Sequence, residues 1–377
     1  MKIKDRHLSD TELTRFFSQL EQKNSKIDNN LRIEAMLLQQ MDPTFGWSRL
    51  INNMKIFSKC QFAEVKVKGI PVKLVLNKTR APSLKSNTFE NNVNNINLKR
   101  CLLCELDKGQ RGLLIKGKKY IVLANPGITL PGDLTISSVK HEKQVITGHF
   151  HDMIEIARDL SHFSIYFNGA LAGASSSHFH FQAGYKDKLI GEQQIQALLA
   201  GKSIGNAYLN NIISTHNCKL FSAENYLRPI HIITTKNSNT MLRFCRFYMD
   251  KLLHISKNIK GYPNIHDFEE YVNSLKGKES EGRVNILLKY YPESDEYVAV
   301  FFPKRTNRPQ YYFQKGKNQI ILGIAIKESL GNLITCRKKD FEILKNNPDL
   351  IEEAYKDTSI TRDMLLELNE SLKDFSQ

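Results

Sequence analysis

No stretch of this sequence approaches the roughly 18 uninterrupted apolar residues of a membrane-spanning helix, and its opening, MKIKDRHLSDTELTRFF, holds no apolar core of a secretion signal. A soluble cytoplasmic protein is the expectation. Cysteine is sparse, at positions 60, 101, 104, 218, 245 and 336 of 377, well below the density of a disulfide scaffold. The thiols are therefore read as reduced, four of them as small buried apolar residues, with only Cys101 and Cys104 close together. Runs of five or six like charges are also absent, which excludes a polybasic arm or an acidic tail.

What is present is an ordinary globular composition, 41% hydrophobic and 25% charged, in a chain long enough for one large core or two ordinary ones. Lys+Arg 54 against Asp+Glu 39 leaves a net charge of +15. That excess fits a phosphate-rich partner, whether nucleic acid or a small phosphorylated ligand, or a chain that uses lysine as its default solubilising residue.

Helical spacing with a Ser or Asp cap marks SDTELTRFFSQLEQ, and a second helix follows in LRIEAMLLQQM. FAEVKVKGIPVKLVLN alternates in two runs split by Gly69 and Pro71, as a strand pair does, and a polar, Asn-dense surface loop follows over 78–99. A hairpin is expected around KGKK, then a strand in LTISS, a helix in HDMIEIARDLSHF, and two β segments, SIYFNG and SSHFHFQAG, joined by the small-residue loop ALAGAS. RPIHIITT, TMLRFCRFYMDKLLHIS, RVNILLKYY and EYVAVFFP echo that order without paired histidines, which points to an internal repeat. The last segment reads as charged and helical.

The chemistry concentrates in Asn168, Gly169 and the run that ends HFHFQ. On a strand, His178, His180 and Gln182 share one face, while Phe179 and Phe181 point to the other. The loop before them, with Gly173, Ser175, Ser176 and Ser177, leaves backbone N–H groups open to an anion such as phosphate. A neutral imidazole whose second nitrogen donates to a fixed acceptor can attack phosphorus, giving a phosphohistidine. The competing reading of His-x-His is a metal site, or two polar residues facing solvent. Cys101-x-x-Cys104 supplies two ligands of a four-ligand zinc site, for which His141 and one of the paired histidines are the remaining candidates. The alternative is two unligated thiols in a turn. His149 and His151, at the helix start, read as surface residues.

These residues resemble the histidine-triad superfamily, in the branch of galactose-1-phosphate uridylyltransferase and the GDP-hexose phosphorylases, which carry His-x-His-x-Gln. VKLVLNKTRAPS, CLLC, IVLANP, HFHFQA and GIAIKESLGNLITCRKKDFE carry the likeness over about residues 60 to 350. The likeness is strongest to the bacterial DUF4922 proteins, with their Cys-x-x-Cys, Gly-Ala-Ser loop and HFQAG core. The resemblance implies an α+β fold of two fused histidine-triad-like halves, each an antiparallel sheet with packed helices. The divisions are then a helical extension over 1–60, a catalytic half over 61–218, and a degenerate second half over 219–377 with a helical tail.

The same resemblance implies that His180 is the nucleophile, that Gln182 steadies the phosphoryl oxygen, and that Cys101, Cys104, His141 and His178 hold a structural zinc not needed for the chemical step. Arg80, Asn125, Asn168, Gly169 and the Ser175, Ser176 and Ser177 loop fall at nucleotide- and phosphate-contacting positions. Arg305 and Arg308 are added because two guanidiniums after a strand suit a diphosphate or sugar phosphate. The loop before the histidines is Ala-Ser-Ser-Ser, not the Ser-Asn-Pro of the uridylyltransferases, so uridine specificity does not transfer. The implied activity is a nucleotidyltransferase or phosphorylase acting on a nucleoside diphosphate sugar or dinucleotide, with phosphate or a sugar 1-phosphate as acceptor. A hydrolase using water is the alternative, and a non-catalytic nucleic-acid-binding protein the third reading. Dimerisation, known among those relatives, stays open.

Overall fold

A computed structural model describes residues 3–20, 27–85, 101–257 and 281–375, so most of the Asn-dense loop lies outside the described residues. The amino-terminal helices form as their caps dictate. The backbone N–H of Glu12 donates to Ser9 Oγ at 3.4 Å and Ser9 N–H to Glu12 Oε2 at 2.9 Å, closing a capping box on the helix Asp10–Gln19. Asp28 caps the helix Asn29–Met41. A third helix, Ser48–Phe57, has no side-chain cap and left no comparable signal in the sequence.

The strands are β1 (Gln61–Val67), β2 (Ile70–Leu76), β3 (Gly112–Ile115), β4 (Tyr120–Ala124), β5 (Leu134–Ser138), β6 (Phe163–Asn168) and β7 (His180–Tyr185), then β8 (Tyr208–Ser214), β9 (Lys219–Glu224), β10 (His231–Thr235), β11 (Val284–Tyr291), β12 (Glu296–Pro303) and β13 (Asn332–Thr335). Ten of them make one antiparallel sheet in the order β3-β4-β5-β7-β6-β11-β12-β10-β9-β8. Read from either edge the connectivity is the same: three strands, a helix, then a pair inserted in reversed order. The helices Phe150–Asp159 and Ser238–Ser256 fill the equivalent places. The internal repeat expected from element order is therefore present, and its halves meet where β6 pairs β11, with Asn168 opposite Asn285 and Tyr166 opposite Leu287.

β8 pairs β9 at the far edge of the sheet, beyond β10 and β12. The expected strand pair β1 and β2 forms, but it joins β13 in a separate three-stranded sheet, with β13 parallel to β2. This small sheet packs Val72, Leu74 and Leu333 against Phe341, Leu344, Ile351 and Tyr355 of the helices Lys338–Asn346 and Pro348–Thr358.

The large sheet buries both faces. Phe179, Phe181 and Ala183 join Ala299 and Phe301 in the main core, beneath the helices Phe150–Asp159 and Ser238–Ser256. On the other face Tyr166, Leu287, Val300 and Phe302 pack against Ile326 and Leu330. Cys218, Cys245 and Cys336 are buried, as expected, whereas Cys60 is half-buried. No helix among the described residues is long and apolar enough to cross a membrane.

One buried histidine sets an acid limit on stability. His231 Nε2–H donates to Asn369 Oδ1 at 2.7 Å, so Nδ1, 2.9 Å from the Tyr248 hydroxyl, is the acceptor. Burial lowers its pKa to about 4, against 6.5 when unfolded. Because the unfolded chain binds the extra proton, this contribution is complete above pH 6.5 and is lost as pH falls towards 4. The melting midpoint should fall over that window, and His231→Phe should make the fall shallower, as thermal melts across pH would show.

Candidate active site and Cys–His cluster

Register places the two sequence-identified residues. In the β5–β7 ladder Ser137 pairs His180 and Thr135 pairs Gln182, so both side chains leave the sheet on the face opposite Phe179 and Phe181. His180 is 3% exposed. Its Nδ1 lies 2.9 Å from the His178 carbonyl. A carbonyl only accepts, so Nδ1 carries the proton and Nε2 keeps its lone pair. Burial is the main effect on its pKa, lowering it to about 4 against the smaller opposing pull of that hydrogen bond, so the ring is neutral at pH 7.

Gln144, not anticipated from the sequence, holds the strand at this point. Its Oε1 accepts the His180 N–H at 2.8 Å, and its Nε2 donates to the carbonyls of Asn168 and His180 at 3.0 Å each. Its own N–H donates to the Ser177 carbonyl at 3.1 Å, which ties the small loop to the same residue. In that loop a Cβ on Gly169 would come within 2.8 Å of the Val284 carbonyl oxygen, and Gly173 has φ +108°, so both positions exclude side chains. Ser175 and Ser177 are exposed, while Ser176 Oγ accepts the His178 N–H at 3.2 Å.

The other expected contacts divide. Asn168 Oδ1 accepts the Ile326 N–H at 2.8 Å, at the start of the short helix Ile326–Ser329. Asn125 donates to Asp133 Oδ1 at 3.0 Å and accepts from Gly127 N–H at 2.9 Å, so its amide is committed to its own loop. Arg80 reaches the Gly127 carbonyl through Nη1 at 3.3 Å, and its buried Nε has no partner among the described residues. Arg305 and Arg308 are both buried; Arg308 lies 4.4 Å from the Tyr312 ring centroid, and a Cβ on Gly323 would fall 2.7 Å from its Nη1. A buried pair missed from sequence joins the two halves: Lys327 Nζ donates to both oxygens of Asp133 and to Thr129 Oγ1, each at 2.7 Å.

The four cluster residues converge. Cys104 Sγ lies 3.1 Å from His141 Nδ1 and 3.3 Å from His178 Nδ1, and Cys101 Sγ is 3.5 Å from the same His178 nitrogen. All four ligand atoms fall within 4.8 Å of one another. A tetrahedral zinc with bonds of about 2.3 Å to sulfur and 2.0–2.1 Å to nitrogen holds its ligand atoms roughly 3.5 Å apart, so spacing and donor chemistry both fit. His178 Nε2 donates to the Ser138 carbonyl at 2.8 Å, which turns the Nδ1 lone pair towards the sulfurs. Burial first, and the neighbouring Cys101 second, push the Cys104 thiol up to about 11. His149 is not at the surface: its ring lies 3.6 Å over Phe179, whereas His151 is exposed.

Residues 37–185 match the model of the family described as Domain of unknown function (DUF4922). No curated protein matches the chain. Among solved structures, yeast Ap4A phosphorylase Apa2 is similar at 12% identity, over 83% of this chain and 93% of that one, with a TM-score of 0.48. Its complex with Ap4A is similar at 12% over 83% and 96%, with a TM-score of 0.48, and its complex with AMP at 11% over 83% and 96%, with 0.50. At such identity the likeness is one of fold. The stretch that matches the DUF4922 model thus holds the histidine strand and all four cluster ligands, in a chain whose large sheet is built from two halves of the same connectivity.

Proposed function

We propose that this protein is a nucleotidyltransferase of phosphorylase type, working through a covalent nucleotidyl-histidine on His180. The observation that carries the reading is a buried neutral imidazole with Nδ1–H pinned to the His178 carbonyl, behind a loop too small-sided to block a phosphate. In the first step the Nε2 lone pair attacks the α-phosphorus of a nucleoside diphosphate sugar or dinucleotide. The bond to the bridging oxygen breaks, and the leaving group takes that electron pair. In the second step an oxygen of phosphate or of a sugar 1-phosphate attacks the same phosphorus, and the electron pair of the P–N bond returns to the ring. Nδ1–H stays on the His178 carbonyl throughout, and that carbonyl oxygen faces the positive charge the ring carries between steps. Gln182 holds a nonbridging oxygen without changing protonation, and Arg80 with the Ser175, Ser176 and Ser177 loop holds the phosphates.

Cys101, Cys104, His141 and His178 would hold a zinc ion whose closed shell is structural. Its role is to fix the His178 backbone, whose carbonyl aims His180. The test is a screen of nucleoside diphosphate sugars and dinucleoside polyphosphates with inorganic phosphate present, products read by mass. A nucleoside diphosphate containing the added phosphate supports the reading. A monophosphate alone would mean that water is the acceptor and the protein a hydrolase.

A further inference from the structure

Lys304 follows β12 and continues its alternation, since its N–H donates to the Arg283 carbonyl at 2.8 Å just beyond the Val284–Pro303 pair. Val298, Val300 and Phe302 define the parity of the face that carries Tyr166 and Ile326, the face on which His180 also stands. β7 begins, and β12 ends, at the same rim of the antiparallel sheet, with β6 and β11 between them. At about 4.8 Å per strand, His180 and Lys304 are roughly 14 Å apart along that rim.

The surroundings of Lys304 are cationic. The side chain is 2% exposed and has no hydrogen-bonding partner for its ammonium among the described residues. Beside it, Arg228 is 3% exposed, with its guanidinium 4.6 Å from each of the Tyr226 and Tyr355 ring centroids. Arg228 donates from Nη2 to the Tyr226 hydroxyl at 3.1 Å, while its buried Nε and Nη1 have no partner. Opposite charge comes from Glu328, which also faces Arg80 and Lys327 and whose Oε2 accepts the Ala325 N–H at 3.1 Å. Lys327 is already paired with Asp133. Arg80 and Lys304 thus both face Glu328, Arg228 adds a further buried cation with two unpartnered nitrogens, and burying uncompensated cations is unfavourable unless an anion joins them. Burial first, and Arg228 second, pull the Lys304 pKa down to about 7, in keeping with that deficit of negative charge.

We infer that Lys304 and Arg228 form an anion subsite in the second half, which takes the phosphate of the leaving portion of the substrate while His180 attacks the α-phosphorus. The inference rests on the proposed nucleotidyl transfer for the identity of the substrate, not for the existence of the subsite. It narrows that substrate to a polyphosphate chain, since a monophosphate ester at His180 would leave the rim at Lys304 unfilled.

The test measures binding, without turnover. Inorganic pyrophosphate is titrated calorimetrically into the full-length protein with its metal content verified, in the wild type and in His180→Ala, Lys304→Met and Lys304→Gln. Wild type and His180→Ala should bind alike, and both Lys304 variants at least tenfold more weakly. Without pyrophosphate, Lys304→Met should melt a few degrees higher than wild type, because a buried cation with too few partners is gone. Unchanged pyrophosphate affinity in the folded Lys304 variants, no binding by the wild type, or a lower melting midpoint for both Lys304 variants overturns the subsite. If the subsite holds while no nucleotidyl adduct forms on His180, the proposed chemistry falls and the subsite stands.

Discussion

His180→Ala is expected to abolish nucleotidyl transfer, with turnover lower by about 10⁴-fold or more and no covalent nucleotidyl-protein detectable by intact mass. The size follows from the role, since a nucleophile removed from a two-step displacement leaves only binding and positioning behind. The variant should still fold. His180 stands on the opposite face from Phe179 and Phe181, which hold β7 in the main core. Its melting midpoint should move by a few degrees at most, and nucleotide should still bind. Turnover within tenfold of wild type, measured on protein freed of copurifying enzymes, would remove His180 as the attacking group.

Cys104→Ser is expected to empty the Cys–His cluster and to lower the melting midpoint by about 10 °C, with activity falling alongside. Metal content measured by mass spectrometry should drop from near one zinc or iron per chain to below about a tenth. Cys104 touches both His141 and His178, so its loss disconnects the exposed segment carrying His141 from the start of β7. Metal-binding energy in such sites is folding energy, and about 5 kcal/mol is a shift of this order for a large domain. Activity suffers because the displaced backbone is that of His178, whose carbonyl sets the tautomer of His180. Wild-type protein treated with a strong chelator should behave in the same way. Full activity and an unchanged melt in protein shown to be metal-free would dismiss the cluster as a metal centre.

The parts of the site legible in the sequence are those governed by short-range geometry. A period of two puts His178, His180 and Gln182 on one face whatever the partners of the strand, and the glycine positions declare close backbone approach directly. The order of strand, helix and strand pair, repeated twice, gave the two-halved sheet. What could not be read is what depends on distant partners. Asn168 looked free to meet a nucleotide, but its oxygen accepts an N–H 158 positions away, from Ile326. Gln144 sits 36 residues from His180 in a stretch with no pattern of its own. Lys304 keeps the parity of Val298, Val300 and Phe302, but a lysine just past a strand end has no local pattern that separates a buried ammonium from a solvated one. β13 offers only NLIT, four buried residues that a short apolar run cannot distinguish from a loop.

That short strand governs the order in which the molecule can be made. β2 lies between β1 and β13 in its sheet, and Thr335 Oγ1 donates to the Val75 carbonyl across 260 positions. On a ribosome adding about 5–20 residues per second, β2 emerges tens of seconds before its parallel neighbour exists. During that interval the IPVKLVL edge, apolar and unpaired, is a surface on which another nascent chain can add a strand. The small sheet thus closes late, and carboxy-terminal truncations that remove β13 should aggregate through an amino-terminal segment far from the cut.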